Sequence, residues 1–111
     1  GLTEKIMSLI LHFMKSNQSH VFLPHLFNSL RCFVVKFPRT LFGNNSAEAL
    51  GELCYLILQH CNVEDLTNRS NAGALLFLLM RENYFQMPST FHRLTVLITI
   101  ALSKLVGSKM E

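Results

Sequence analysis

The sequence predicts an all-α protein, and three observations support that prediction. Half of the residues are hydrophobic and only 15% are charged, a composition that excludes a disordered chain. The apolar residues recur at spacings of three and four, as they do on one face of an α-helix. No apolar–polar alternation bounded by hairpin dipeptides indicates a strand. Five helices are predicted, over residues 3–16, 23–37, 47–60, 66–83 and 91–106.

The first two predicted helices each carry one apolar stripe. Thr3 is placed to cap the first helix. Pro24 lies in the first turn of the second helix, where a missing N–H is tolerated, and Pro38 ends that helix. The stripes expected to face the core are Ile6, Leu9, Ile10, Phe13 and Met14 in the first helix and Leu26, Phe27, Leu30, Val34 and Phe37 in the second.

The third and fourth helices are apolar on most sides, which predicts that each is buried between neighbours. Ser46 follows a Gly-Asn-Asn loop and is placed to cap the third helix, and Asn62 or Asp65 is placed to cap the fourth. The small residues Ala72, Gly73 and Ala74 would let another helix approach the fourth closely. The expected stripe of the third helix comprises Leu50, Leu53, Cys54, Ile57 and Cys61.

Ser89 or Thr90 is placed to cap the fifth helix, and Gly107 suits its C-terminal cap. The run 94–100 has high β propensity, but its position inside a capped helical segment favours helix. The expected stripe of this helix comprises Leu94, Leu97, Ile98, Ala101 and Leu105. Together the helices are expected to form one contiguous core that includes Leu53, Ile57, Leu76, Leu79, Leu97 and Ile98.

The helix starts recur at a fixed interval, because Thr3, Ser46 and Ser89 lie 43 residues apart. A period of about 40–47 residues with two helices in each unit is typical of HEAT and armadillo repeats. We therefore expect residues 1–111 to be a single helical-repeat segment, a five-helix armadillo- or HEAT-like right-handed stack that is a fragment of a longer solenoid.

The high apolar content predicts exposed apolar surface. A domain of this length buries only about 60–68% of its unfolded surface, so we expect adjoining helices or self-association to cover the remainder. The first helix, with Met7 and Leu11, and the fifth helix, with Val96 and Ile100, are the expected sites of that association. The longest uncharged apolar runs, 72–80 and 94–103, are shorter than the about 20 residues of a membrane span, so the sequence predicts that the chain has none.

No catalytic, cofactor-binding or metal-binding residue is predicted. The five glycines never cluster into a phosphate loop, and no Cys-x-x-Cys or His-Glu-x-x-His motif occurs. Glu48 and Glu52 are best explained as a solvated helix face. The net charge is +3, but the basic residues are too dispersed for a nucleic-acid surface. Cys54 and Cys61 lie roughly 10 Å apart along a helix, too far for a disulfide, so a reduced intracellular chain is favoured.

Several stretches of the sequence, taken in order, form a recognisable pattern. They are Lys36-Phe37-Pro38-Arg39-Thr40-Leu41-Phe42, Glu52-Leu53-Cys54-Tyr55, His60-Cys61-Asn62, Ala74-Leu75-Leu76-Phe77-Leu78-Leu79-Met80-Arg81-Glu82-Asn83-Tyr84-Phe85, Arg93, and Ala101-Leu102-Ser103-Lys104-Leu105-Val106-Gly107. Their order and spacing resemble the DOCK (dedicator of cytokinesis) family of exchange factors for Rac and Cdc42 GTPases. The resemblance is to the helical segment just upstream of the catalytic DHR2 domain of that family.

The resemblance implies a cytoplasmic, non-catalytic scaffold segment that supports the exchange domain and protein–protein contacts. Its implied partners are the adjoining helical repeats and the exchange domain of the parent chain. A Rho-family GTPase, and a membrane only peripherally, would be reached through the parent. No cofactor, no nucleic acid and no catalytic residue is carried over from the family.

A secreted helical-bundle ligand of cytokine type is the alternative. Three Asn-x-Ser/Thr sequons, at Asn17, Asn44 and Asn68, would suit a secreted chain. That alternative predicts a disulfide and a self-contained core with one polar face on each helix.

Overall fold

A computed structural model describes residues 2–16, 22–43, 47–63 and 65–110, with side chains over residues 4–15, 22–43, 47–63 and 65–107. These described residues form six α-helices and one 3₁₀ turn, with no strand among them, so the all-α prediction is confirmed. The helices are α1 (Leu2–Ser16), α2 (Leu23–Lys36), α3 (Pro38–Phe42), α4 (Ala47–His60), α5 (Leu66–Gln86) and α6 (Phe91–Met110), and the 3₁₀ turn is Pro88–Thr90.

Two predicted helix caps are wrong and one is confirmed. Thr3 lies inside α1, which begins at Leu2, because a helix end shifts by a residue or two at little cost. Gly107 lies inside α6, which continues to Met110; glycine permits a helix end without imposing one. Asp65 caps α5 as predicted, since its carboxylate accepts the Asn68 N–H at 2.9 Å. Ser46 is outside the described residues.

The short helix α3 was not predicted from the sequence. Phe37 leaves the helical region, with φ −128° and ψ 50°, because it precedes a proline, and α2 therefore ends one residue earlier than predicted. Pro38 then occupies the first position of a new helix, where its fixed φ is favourable. The five-residue helix buries Leu41 and Phe42 in the core.

The helices are arranged in two rows. In the first row α1 contacts α4, and α4 contacts α6; in the second row α2 contacts α5. The hairpin partners also touch, α1 with α2 and α4 with α5, and α3 lies against α2, α4 and α5. Helix α4 therefore has neighbours on three sides, as its nearly all-round apolar sequence predicts.

One contiguous core runs through this arrangement. Leu53, Ile57 and Leu79 are buried in it, and the other three residues of the predicted set, Leu76, Leu97 and Ile98, are half-buried against it. The predicted stripe of α1 is correct only in part. Ile10 and Met14 are buried, whereas the remaining three members, Ile6, Leu9 and Phe13, are exposed.

Candidate interaction surfaces

Arg93 joins two of the stretches that carry the family resemblance. Its Nη2 donates hydrogen bonds to the carbonyl oxygens of Phe42 and, at 2.8 Å, of Gly43, about fifty residues away in the chain. These carbonyls end α3, where no intrahelical donor reaches them. A side chain at Gly43 would place its Cβ 2.5 Å from the Arg39 carbonyl oxygen, so glycine is required there. The Lys36–Phe42 stretch and Arg93 thus form one structural junction.

Asn83, in the most distinctive of those stretches, fixes the turn between α5 and α6. The residue is fully buried, and its Nδ2 donates to the hydroxyl oxygen of Thr90 at 2.8 Å. That hydroxyl in turn donates to the Met87 carbonyl at 2.9 Å. These hydrogen bonds tie the last turn of α5 to the 3₁₀ turn that precedes α6, while Asn83 Oδ1 is buried without a hydrogen-bond partner among the described residues. Neither described pocket is lined by Asn83.

Burial disfavours the thiolate form of two of the three cysteines, Cys54 and Cys61. Cys54 is fully buried, and desolvation raises the pKa of its thiol to about 12. Burial also raises the pKa of the Cys61 thiol. All three cysteines are free, and Cys32 is exposed. Because the thiolate is the reactive form, neither Cys54 nor Cys61 is suited to nucleophilic chemistry at neutral pH.

We expect three titratable thiols in the denatured chain under non-reducing conditions. In the native chain at pH 8, Ellman's reagent should react readily with Cys32 alone, because the raised pKa of Cys54 suppresses its thiolate and burial blocks access. A Cys32→Ser variant should lose the fast phase. A single free thiol in denaturant would instead indicate a disulfide and favour a secreted protein.

A trough of about 600 Å³ lies on the outer side of α4, between α1 and α6. Gly51 forms part of its floor, where an added Cβ would lie 3.3 Å from Leu97, so α4 and α6 approach closely there. Glu52 makes an ion pair with Lys15, while Glu48 is exposed. The predicted solvated face is therefore correct for Glu48 and only partly so for Glu52. The lining of the trough contains two lysines and two glutamates, so their charges cancel and the trough favours neither cations nor anions.

No group of three or more His, Cys, Asp and Glu side chains that could hold a metal ion occurs in the part of the chain that the structure describes. His60 is buried near the end of α4. Its Nδ1 lies 2.8 Å from the Leu56 carbonyl oxygen, so Nδ1 carries a proton and donates. The ring also makes an edge contact with Phe27, at 5.7 Å between centroids. His60 therefore acts as a core residue.

Exposed apolar residues lie at both ends of the first row. For α1 the predicted association surface is wrong. Met7 and Leu11, which were expected to be exposed, are buried, whereas Ile6, Leu9 and Phe13, which were expected to face the core, are exposed. For α6 the predicted surface is correct, since Val96 and Ile100 are 42% and 46% exposed. Sequence reasoning missed a third surface on α5, where Phe77 and Tyr84 are exposed although the helix was expected to be buried all round.

Residues Pro88–Gly107 are long and apolar enough, by length and composition, to cross a membrane. A single helix of this kind is weak evidence of a membrane span, and only 11% of the stretch is buried among the described residues. Arg93 and Lys104 interrupt the stretch, and Arg93 donates a hydrogen bond to the carbonyl oxygen of Phe42 in α3. The sequence-based prediction considered only uncharged runs and therefore missed that residues Pro88–Gly107 meet this criterion despite their two charged residues.

The chain is similar to several dedicator of cytokinesis proteins. Dedicator of cytokinesis protein 7 from Homo sapiens is 42% identical over 106 residues, which cover 96% of this chain and 5% of the relative. Dedicator of cytokinesis protein 11 from Danio rerio is 39% identical over 108 residues, again 96% of this chain and 5% of the relative.

Dedicator of cytokinesis protein 9 from Rattus norvegicus is 34% identical over 107 residues, 96% of this chain and 15% of the relative. No family model matches the chain, and no solved structure matches it. The chain thus spans about one-twentieth of the length of the first relatives it matches. Over nearly its whole length, it is homologous to a short segment of dedicator of cytokinesis proteins.

Proposed function

We propose that this chain is a non-catalytic helical scaffold segment of a DOCK-type guanine nucleotide exchange factor for Rac/Cdc42-class GTPases. The observation that carries the proposal is the 42% identity over 106 residues to a relative about twenty times longer. The segment lies upstream of the exchange domain in a cytoplasmic parent. It supports that domain and contacts its neighbouring repeats, and a GTPase is reached only through the parent.

The two-row arrangement supports an armadillo- or HEAT-like stack. In such repeats each helical hairpin packs only on its neighbours, so that first helices contact first helices and second helices contact second helices. Here α1, α4 and α6 follow one another in the first row, and α2 and α5 in the second. Each hairpin buries its stripe against the next, which leaves apolar residues at both ends of the row.

The secreted-ligand alternative is less well supported. Its disulfide is missing from the three cysteines, which are all free. Its self-contained core would require the described helices to cover their own apolar faces, yet α1, α5 and α6 each leave large apolar side chains exposed.

We expect the isolated 111-residue chain not to accelerate release of labelled GDP from Rac or Cdc42. The reason is that the family resemblance places the GTPase-contacting lobes outside this segment, and that the polar side chains of Asn83 and Arg93 make hydrogen bonds within the chain. Stopped-flow release of fluorescent nucleotide, with a complete dedicator of cytokinesis protein as the positive control, measures this. A clear rate increase with the chain alone would contradict the scaffold assignment.

A further inference from the structure

One flank of α5 carries an apolar stripe that the described residues cover only in part. Gly73, Phe77, Met80 and Tyr84 follow one another at spacings of three and four, so they share one face of the helix. Phe77 is 66% exposed and Tyr84 is 58% exposed, while Met80 is half-buried. An added Cβ at Gly73 would meet nothing within 4 Å, so there is room beside it for a large side chain.

Helix α6 carries a matching stripe. Phe91, Ile98, Leu102 and Leu105 lie on one helical face by the same spacing rule. The two stripes meet at the turn, where the rings of Tyr84 and Phe91 make an edge contact at 5.4 Å. That contact places both stripes on one side of the helix pair. We call this combined surface the α5–α6 face.

The α5–α6 face continues an interface that already exists in the structure. Helix α2 packs on α5 from another side, where Arg31 donates to the Asn71 side chain at 3.2 Å. Asn71 lies roughly 120–180° around the helix axis from the residues of the exposed stripe, at about 100° per residue. The first row has three helices and the second row has two among the described residues. A further helix that packs against α5 and α6 would therefore become the third helix of the second row, and it would pack against α5 as α2 does on the other side.

The charges around the α5–α6 face are basic. Arg69 and Arg81 are exposed on α5, four residues before Gly73 and four after Phe77 respectively. Residues 88–110 contain no aspartate or glutamate. A second copy of the chain offers a poor match. Its exposed α1 residues lie beside Lys5 and His12 rather than beside an acidic flank.

We propose that the α5–α6 face docks an amphipathic α-helix with acidic residues along its flanks, supplied by the adjoining helical repeat of the longer protein. The proposal rests on the proposed scaffold function and adds to it the position and chemistry of the next helix. Its apolar stripe covers Phe77 and Leu102, a large side chain enters the space beside Gly73, and its carboxylates face Arg69 and Arg81.

Two synthetic peptides test the proposal, each of about five helical turns. They share one leucine stripe, and their flanking positions are glutamate in one and lysine in the other. Fluorescence anisotropy with the full chain should give at least about tenfold tighter binding of the glutamate peptide at low ionic strength, and the difference should shrink as salt is added. Failure of both peptides to bind, or equal binding of the two, would overturn the proposal.

Variants of the chain localise the effect. Phe77→Asp should abolish binding without unfolding the protein, because Phe77 is mostly exposed, whereas Val35→Asp on α2 is the matched exposed control and should leave binding unchanged. The double charge reversal Arg69→Glu and Arg81→Glu should reverse the peptide preference. Binding that survives Phe77→Asp would overturn the proposal.

Sedimentation velocity completes the test. We expect the unmodified chain and the Phe77→Asp variant to have the same oligomeric state. A dimer that forms with the unmodified chain and is lost in the Phe77→Asp variant would show that a second copy occupies the face, contrary to the proposal. A negative peptide result together with an inert chain in the nucleotide-release assay rejects the docking face alone. A chain that accelerates nucleotide release rejects the scaffold function instead.

Discussion

Replacing Ile57 by alanine is expected to lower the free energy of unfolding by about 2–5 kcal/mol. Ile57 is fully buried on α4, the helix that contacts α1, α5 and α6. The substitution removes buried methyl and methylene groups and leaves a cavity that the three neighbouring helices cannot close without losing contacts of their own. Urea unfolding of the purified chain, followed by circular dichroism at constant protein concentration, measures the change.

Val35→Ala is the matched control for Ile57→Ala. Val35 is an aliphatic residue on α2 that is 49% exposed, so its truncation should cost less than about 0.5 kcal/mol. Should Ile57→Ala prevent folding, Ile57→Val should still fold and lose about 0.5–1.5 kcal/mol. A loss below about 0.5 kcal/mol for Ile57→Ala would show that α4 is not the central helix.

Replacing Arg93 by alanine is expected to lower the free energy of unfolding by about 1–3 kcal/mol. We expect α3 to unfold locally in this variant before the rest of the protein unfolds. The substitution removes the Arg93 donor from the partly buried carbonyls of Phe42 and Gly43, and the loss of hydrogen bonds from a charged donor costs an amount of that order. Native-state hydrogen exchange should show the largest loss of protection at the α3 amides, because a five-residue helix has little stability of its own.

Two further variants separate the hydrogen bonds of Arg93 from its charge. Arg93→Lys keeps a cation near the C-terminal end of α3, where the helix dipole favours it, but offers a different donor geometry and should recover only part of the loss. Arg81→Ala, at an exposed arginine of α5, should change stability by less than about 0.5 kcal/mol. Equal effects of Arg93→Ala and Arg81→Ala would rule out the junction as a stabilising contact.

The sequence alone predicted the helical class and the approximate position of five helices. Apolar residues at helical spacing identify each helix, and Asp65 and Pro38 mark boundaries through local backbone chemistry that needs no tertiary partner. The same local rules failed at Thr3 and Gly107, because a residue that permits a helix end does not enforce one. The sequence also showed that apolar surface would exceed what this chain could cover.

Only the tertiary structure decided which apolar faces point inward. Helix α1 has two neighbouring apolar stripes, and the positions of α2 and α4 select the one with Met7 and Leu11 while leaving Leu9 exposed. Helix α5 is apolar nearly all round, so periodicity could not show that Phe77 lies on an open flank. The junction of Arg93 with Phe42 joins residues about fifty positions apart, and no local pattern contains it. Spacing fixes which residues share a helix face, whereas the packing of neighbouring helices fixes which face is buried.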